Sequence, residues 1–420
     1  MRNKIRYLAG LFLLISLPAL AAPPDDMYEK VHALYTAIHE FPELGNEEFE
    51  TQKRVTAALK SIGFTHFIPS KLAPTAVITV LDSGKPGPTI ALRADMDARA
   101  TQEPKTHQPR SHRDGLMHNC GHDAHSAMLF GAAYYLKNNL DSFAGKIVFL
   151  FQPAEETKGG ADSIVEEEIL ETLGVSAIFA QHVYSGLPVG TLSLSAGASL
   201  AGSNYFKMTI RGQGSHAALP SGGSDTLVTA AKILTEFAQM PARNFDVVDR
   251  PMIISPTQIN ANSSSLNIVP SEVVVQGTIR AFEDLFDNRK PEQNLHDFMQ
   301  FRVKKLGEAY GVDIELTIHR GSPPTVNDKT LYAKSVSALQ KNWPGKIKLD
   351  LAKGMFSEDF AFYTERTPAL YLGLGIAKDG LGEAGAHTQQ FTIHPDALPY
   401  GVQALVSLAQ LHTLGMIYSW

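Results

Sequence analysis

The feature that most constrains the fold is an alternation of apolar segments with helical patterns between residues 75 and 182. The helical segments are "DAHSAMLFGAAYYLKNN" and "ADSIVEEEILE", and the strand-like segments are "TAVITVL", "TIALRAD", "GKIVFLFQ" and "AIFAQH". Strands that are apolar throughout are typical of a parallel sheet whose two faces are both covered by helices. The pattern therefore predicts an α/β catalytic domain built on a mainly parallel sheet.

Polar residues of one chemical kind collect where these strands end. Asp95 and Asp97 follow one strand, Glu155 and Glu156 follow the next, and His182 ends a third. Cys120 and His122 stand just before a predicted helix. Because ligands of α/β sheets bind outside the carboxyl ends of the strands, we expect these side chains to meet at one edge.

The pattern changes near residue 200. Between 201 and 320 the order is strand, helix, strand, strand, helix, strand, and the strands alternate in polarity. This order is typical of a ferredoxin-like α+β unit with an antiparallel sheet. The α/β pattern then resumes, which predicts one catalytic domain (22–200 and 321–420) interrupted by a smaller domain at 201–320.

Residues 1–21 have the pattern of a secretory signal peptide. Arg2, Lys4 and Arg6 precede the apolar segment "LAGLFLLISL", and Ala19-Leu20-Ala21 is a small-x-small cleavage site. An uncleaved anchor helix is the alternative, but Pro18 and the short apolar run argue against it. We expect an exported protein, periplasmic in a Gram-negative cell and free of the membrane after cleavage.

Cys120 is the only cysteine of the 420 residues, which excludes an intramolecular disulfide framework. The side chain can be a buried small apolar group, a nucleophile with a histidine base, or a metal ligand. Neighbouring histidines favour metal binding, since thiolate and imidazole suit zinc, manganese and similar ions. Glu155 and Glu156 can be a solvated helix start, or one can bind metal while the other accepts a proton.

Other function classes lack their sequence signals. The net charge is −6 and the chain has no basic stripe, which disfavours nucleic-acid binding. The G-x-S-x-G elbow, the P-loop, the G-x-G-x-x-G fingerprint and the H-E-x-x-H motif are all absent. Metal-dependent hydrolysis is the chemistry that remains.

At this level of detail the chain resembles a known group of enzymes. The motifs, in order, are "ALRADMDA", "MHNCGHDAHSAMLFGAA", "FQPAEETKGGA", "QHV", "GQGSHAALP", "NIVPSEVVVQGTIRAF", "SEDFAFY" and "AHTQQFTIHPDAL". They resemble the hippurate hydrolase and auxin-conjugate hydrolase branch of the aminoacylase/carboxypeptidase superfamily, over essentially the whole mature chain. The activity implied is hydrolysis of the amide bond of N-acyl amino acids, and an exported metallo-dipeptidase or carboxypeptidase is the alternative.

The resemblance also implies roles for individual residues. Cys120 would bridge two divalent ions (Zn, Mn, Ni or Co), and the remaining ligands would be His122, Glu156, His182 and His387. Glu155 would be the general base, with Asp97 and Asp123 supporting the ligands. The inserted domain would act as a lid and dimerisation domain of a homodimer or homotetramer. Its His216 would reach the substrate carbonyl, in its own subunit or in a partner, and its Asn267 and Arg280 would hold the substrate carboxylate.

Some segments depart from the family pattern. Relatives usually read "RADMDALP", whereas this chain has Arg99 and Ala100, followed by the polar segment "TQEPKTHQPRSHRDG". "NANSSSLNIVP" replaces a more glycine-rich version, and Glu358 and Asp359 match an acidic loop of undefined role. A binding protein that has lost catalysis is a further hypothesis, against which the intact Glu155-Glu156 pair argues.

Overall fold

The computed structural model describes residues 23–248, 250–287, 294–349 and 353–415. Its helices are α1 (Met27–His39), α2 (Phe49–Ser61), α3 (His122–Asn138), α4 (Ala161–Glu166), α5 (Ile169–Thr172), α6 (Thr226–Asn244), α7 (Leu295–Tyr310), α8 (Lys329–Asn342), α9 (Ala361–Thr364) and α10 (Ala397–Leu414). Within these ranges no helix is both long and apolar enough to span a bilayer. The predicted signal peptide, 1–21, lies outside the described residues.

The strands form a large sheet, a four-stranded sheet and two short pairs. They are β1 (Val77–Asp82), β2 (Thr89–Asp95), β3 (Lys146–Gln152), β4 (Val175–Pro188), β5 (Thr191–Leu194), β6 (Gly197–Leu200), β7 (Gly202–Arg211), β8 (Ser215–His216), β9 (Met252–Asn260), β10 (Ile268–Val269), β11 (Glu272–Ala281), β12 (Asp313–Arg320), β13 (Thr325–Asn327), β14 (Lys346–Leu349) and β15 (Ala369–Ala377).

The large sheet has seven strands in the order β1-β3-β2-β4-β15-β5-β14. The central strands β3, β2, β4 and β15 are parallel, as predicted. β1 pairs antiparallel at one edge, and β5 pairs antiparallel with β15 before β14 continues in parallel. The apolar strand segments explain this arrangement, since all nine residues of β15 and six of the seven of β3 are buried.

Helices cover both faces of this sheet. One face carries the main core, to which α1, α3 and α10 contribute, and the other carries a second core that includes Ile164, Leu170, Phe360 and Tyr363. Strands buried on both faces have no polar side, which is why their sequence lacks alternation. The predicted α/β catalytic domain with helices on both faces is confirmed.

The segment from β7 to β12 forms a second sheet with a separate core. Its order, β12-β7-β11-β9, is antiparallel throughout, and α6 and α7 pack against it. The chain order β7-α6-β9-β11-α7-β12 is the ferredoxin-like arrangement. β11 shows why the sequence alternates, since its burial alternates residue by residue with one face on the core.

Two elements differ from their sequence-based expectation. The predicted helix "ADSIVEEEILE" is split into α4 and α5, because Glu168 adopts φ +52° and interrupts the helix. His182 was expected at a strand end, but β4 continues to Pro188. Its pairing with β2 stops at Ala180, so the β2-facing side of β4 is left open beside His182.

Candidate metal centre

The cluster begins at the start of α3, where Cys120 and His122 flank Gly121. Gly121 adopts φ +93°, and a Cβ on it would lie 2.4 Å from Cγ2 of Val183. Only glycine accepts both conditions without strain. The tight turn places the Cys120 and His122 side chains on the same site, where both are buried.

Cys120 is shared by two groups of possible metal ligands. The Sγ atom lies with nitrogen atoms of His122 and His182 in one group, and with a Glu156 oxygen and a His387 nitrogen in the other. Within each group the ligand atoms lie within 4.8 Å of one another. The five residues that the resemblance implied as ligands thus come together around one sulfur atom.

The two buried histidines both present Nε2 to this centre. Nδ1 of His122 lies 2.9 Å from the carbonyl oxygen of Asp97, and Nδ1 of His182 lies 2.8 Å from that of Val183. A carbonyl can only accept, so each Nδ1 carries a proton and Nε2 is the ring nitrogen that faces the centre. Metal-binding histidines are commonly oriented by such a bond. Nε2 of His122 is buried without a hydrogen-bond partner, and Nε2 of His182 lies 3.3 Å from Sγ.

The protonation states of two of these residues, His182 and Cys120, bear on metal binding. Burial lowers the pKa of His182 to about 4, so the ring is neutral near pH 7. Burial raises the pKa of the Cys120 thiol, which disfavours the alternative of a free nucleophilic thiolate. A coordinated metal ion would hold the sulfur as thiolate.

Glu155 and Glu156 lie on a tight turn after β3. Ala154 adopts φ +56°, a left-handed conformation that is strained for alanine. The turn is held by two carboxylates: Glu48 accepts the Ala154 N–H at 2.8 Å, and Asp97 accepts the N–H groups of Glu155 and Glu156 at 3.1 and 2.9 Å. Asp97 therefore contacts both His122 and this turn.

Glu156 lies between His387 and Arg99. Its Oε1 atom is 3.0 Å from Nε2 of His387, although the contact lacks hydrogen-bond alignment, and its Oε2 atom accepts from Arg99. Burial opposes the charge on Glu156, but the contact with His387 and the positive charge of Arg99 lower its pKa to about 2. Glu156 is thus ionised near pH 7, as a carboxylate must be to bind a metal ion.

His387 is held in place by its backbone. It adopts φ +66°, and its N–H donates to the carbonyl of Asn119 at 2.7 Å. Strained residues persist where surrounding structure fixes them, often at functional sites.

Glu155, in contrast to Glu156, has other carboxylates as its neighbours. Burial raises its pKa well above the ordinary value, and the nearby charges of Glu358, Asp359 and Glu156 raise it further. One of its oxygens lies 4.0 Å from Nε2 of His122, and the other accepts the N–H of Asp359 at 3.3 Å. A carboxylate with a raised pKa beside a metal site suits proton transfer.

A buried ion network adjoins the cluster. Arg93 binds Asp95, Glu358 and Asp359 at 2.7, 2.9 and 2.8 Å. Asp95 also accepts from Nδ1 of His125 at 2.6 Å, while Nε2 of that ring accepts the N–H of Val183 at 3.0 Å. Arg93 was not predicted as a site residue, although a charged residue within an apolar strand is a signal for such a network.

Two further buried histidines, His39 and His118, lie near the site. Nδ1 of His39 donates to Asp123 at 2.6 Å, and Nε2 donates to Glu103 at 2.9 Å. The described hydrogen bonds of Asp123 thus go to His39 and to the backbone of Ala124, not to one of the five ligands. His118 is fully buried, with its ring centroid 6.4 Å from that of His39.

The cluster opens into a cleft of about 990 Å³ between the two sheets. Residues of the inserted domain, including Arg280, line one wall. His216 and Asn267 do not line it: His216 lies in β8, Asn267 directly precedes β10, and both are exposed. The structure therefore places Arg280 in the wall of the cleft. It leaves the other two predicted residues of the insert, His216 and Asn267, on the surface.

Comparisons with known proteins agree with this geometry. The model of "Peptidase family M20/M25/M40" matches residues 91–411. The chain belongs to this family. An M20 dinuclear metal-binding peptidase from Bacillus subtilis has a structure similar to that of this chain, with TM-score 0.80, 27% identity and coverage of 94% of this chain and 100% of that one.

Two curated relatives are similar along most of the sequence. The IAA-amino acid hydrolase ILR1-like 4 of Arabidopsis thaliana is 34% identical over 94% of this chain and 88% of its own length. The N-acetyl-L-cysteine deacetylase of Bacillus subtilis is 35% identical over 86% of this chain and 83% of its own length. The M20 chain described here is accordingly a hydrolase, and its clustered thiol, imidazole and carboxylate groups fit divalent metal ions.

Proposed function

We propose that this M20 protein hydrolyses the amide bond of N-acyl amino acids, releasing a carboxylic acid and an amino acid. The observation that carries the proposal is the pair of ligand groups sharing Cys120, open to the same cleft as Glu155 and Arg280. One ion would be held by Cys120, His122 and His182, and a second by Cys120, Glu156 and His387. Such ions polarise a carbonyl oxygen and lower the pKa of water from about 15.7 to about 7.

Glu155 would move the proton. Its carboxylate lies beside the ligands without belonging to the groups around Cys120. In the proposed reaction it accepts a proton from the attacking water and gives it to the leaving nitrogen. Its raised pKa favours holding that proton between the two steps.

Arg280 would bind the carboxylate of the amino-acid portion. Its guanidinium donates to the hydroxyl of Ser357 at 2.7 Å, and within the described residues no carboxylate lies within 4.0 Å of it. A guanidinium can hold a carboxylate with two parallel bonds. This contact would favour substrates that end in a free carboxylate.

The cleft wall favours an aromatic acyl group. Several aromatic rings line it, namely Tyr184, Tyr205, Phe356, Phe362 and Tyr371. A cleft of about 990 Å³ accommodates a benzoyl or indole-acetyl amino acid. The names of the two relatives cover both an indole-acetyl and an acetyl conjugate, so both belong in the test.

The test is a substrate panel on protein whose metal content has been measured by elemental analysis. The panel contains hippurate, indole-acetyl amino acids, N-acetyl amino acids and dipeptides, and the metals are Zn, Mn, Ni and Co. We expect the highest kcat/KM with aromatic acyl amino acids. Preference for dipeptides would instead support the alternative, a metallo-dipeptidase or carboxypeptidase.

The position of His216 and Asn267 supports a homodimer. Both lie on an exposed surface with apolar neighbours, since Leu219 is 68% exposed and Leu266 is fully exposed. A partner subunit would cover these residues and receive His216 in its own cleft, where the imidazole would contact the substrate carbonyl and Asn267 the carboxylate. Light scattering should give twice the mass of the mature chain for a dimer and four times that mass for a tetramer.

Export is proposed from residues 1–21 alone. Their basic, apolar and small-residue segments are those of a signal peptide. Fractionation of Gram-negative cells expressing the full chain should place a shortened protein in the periplasm. Retention of the full-length chain in the cytoplasm would contradict the proposal.

A further inference from the structure

Arg99 is a cation directed at one of the proposed metal ligands. Its backbone is paired with Met117, with N–H···O distances of 3.1 and 3.0 Å, two residues after Asp97. Because Asp97 holds the Glu155-Glu156 turn, Arg99 and Glu156 are tied to the same support. The guanidinium lines the cleft and donates to Oε2 of Glu156.

The two oxygens of Glu156 have different surroundings. Oε2 accepts from Arg99, whereas Oε1 is buried, faces Nε2 of His387 and has no hydrogen-bond partner. An ion held by Cys120, Glu156 and His387 would therefore use Oε1. This ion and the Arg99 guanidinium would then both interact with the single negative charge of Glu156.

The other ligand group has the opposite electrostatic surroundings. Behind His122 stands the carboxylate of Asp97 at 3.1 Å. Asp95 lies 3.8 Å from Nε2 of His122, but its charge is shared with Arg93 at 2.7 Å. Within the described residues no lysine or arginine is paired with Cys120, His122 or His182. A carboxylate behind a metal-binding histidine increases the ligand's basicity.

We infer that Arg99 makes the two metal positions unequal, so that the Cys120–Glu156–His387 position binds its ion more weakly than the Cys120–His122–His182 position. The inference rests on the proposed two-ion centre. Positive charge beside a cation site opposes binding, and a carboxylate already bonded to a guanidinium has less charge to offer.

The test is titration of metal-free protein with Mn²⁺ by isothermal calorimetry. We expect two binding steps, the weaker of which disappears in His387→Ala. Arg99→Gln keeps a hydrogen-bond donor and removes the charge, and should tighten the weaker step about tenfold. Arg99→Lys keeps the charge and should leave the two steps separated as in the wild type.

A matched control is Arg113→Gln. Arg113 lies on the same segment and pairs with Glu43, not with a ligand, so both steps should be unchanged. Thermal unfolding of the metal-free variants checks that each is folded, and Arg99→Met replaces Arg99→Gln if the latter is not. The inference is overturned if the wild type shows two equal steps, or if removing the charge leaves the weaker step unchanged or weakens it.

These readouts are independent of substrate. Failure of every amide in the panel would end the proposed function while leaving two unequal metal steps intact. Equal steps in an active enzyme would end only the inference about Arg99.

Discussion

The residues of the predicted site that come from the catalytic domain and those from the inserted domain behave differently. The four other proposed ligands converge around Cys120 with Glu155 beside them, although these residues come from distant parts of the chain. His216 and Asn267 of the inserted domain lie exposed at the short antiparallel pair β8–β10. The difference teaches that the candidate metal ligands are assembled within one domain, whereas the proposed substrate contacts of His216 and Asn267 would require a second surface.

The physical reason is that metal binding and substrate binding tolerate different amounts of movement. A metal site needs several donors at fixed short distances, which a buried sheet edge and helix start can maintain. A substrate must enter and leave, so part of its binding surface has to be separable. Arg280 illustrates the intermediate case, since it belongs to the insert but already lines the cleft.

Glu155→Gln should have the largest effect. Loss of the proton acceptor is expected to reduce kcat by about 10³-fold, since general base catalysis contributes roughly 10² to 10⁴. The metal content should stay unchanged because Glu155 lies outside the groups around Cys120. Steady-state kinetics and elemental analysis measure both, with the exposed Glu171→Gln as control. Activity near that of the wild type would remove Glu155 from the mechanism.

His216→Ala tests the contribution of the inserted domain to catalysis. Loss of one donor to the reacting carbonyl is expected to reduce kcat by about 10²-fold. Metal content and Tm should not change, and the exposed His319→Ala in the same domain should be active. A mixture of His216→Ala and Glu155→Gln should regain about a quarter of the sites if each site is shared across a twofold dimer. No recovery in a mixture of demonstrated heterodimers would place His216 in its own subunit.

Arg280→Lys should have a smaller effect that is concentrated in KM. Lysine keeps the charge but loses the two parallel bonds, so KM is expected to rise about tenfold with little change in kcat. Arg302→Lys, which pairs with Glu236 on the surface of the insert, is the matched control. If KM is unchanged for every substrate with a free carboxylate, another group holds that carboxylate.

His39→Gln should affect stability and not chemistry. Burial opposes the charge on His39, but hydrogen bonds to Asp123 and Glu103 raise its pKa to about 10. Because this pKa lies above the ordinary value, the stabilisation is fully present below about pH 6.5 and is lost as the pH rises through 10. At pH 7 the variant should lose about 3 kcal/mol of unfolding free energy, since two buried carboxylates lose their partner.

The measurement is denaturant unfolding of wild type and His39→Gln at several pH values. The difference between them should shrink as the pH approaches and passes 10. The exposed His32→Gln serves as control for the same substitution on the same helix. A difference that is constant with pH would show that His39 is not held in its charged form.

Much of the fold was predictable because its signals are local. The apolar segments of β2, β3 and β15 and the helical pattern of α3 extend over several residues each, and they appear where expected. The short strands β5, β6, β13 and β14 were not predicted, since three or four residues carry no clear periodicity. The full length of β4 was missed because its end depends on pairing with β15.

The amino-acid sequence by itself determined which side chains are available for chemistry and which segments carry them. Glycine at 121, the paired carboxylates at 155 and 156 and the order of the motifs are local properties, and they were enough to predict the family. Only the tertiary structure decided which side chains contact one another. It put Arg99 on Glu156, joined Arg93 to the acidic loop, buried His39 between two carboxylates and left His216 on the surface. Such contacts link residues far apart in the chain, and their energies depend on distance and burial, which no local pattern contains.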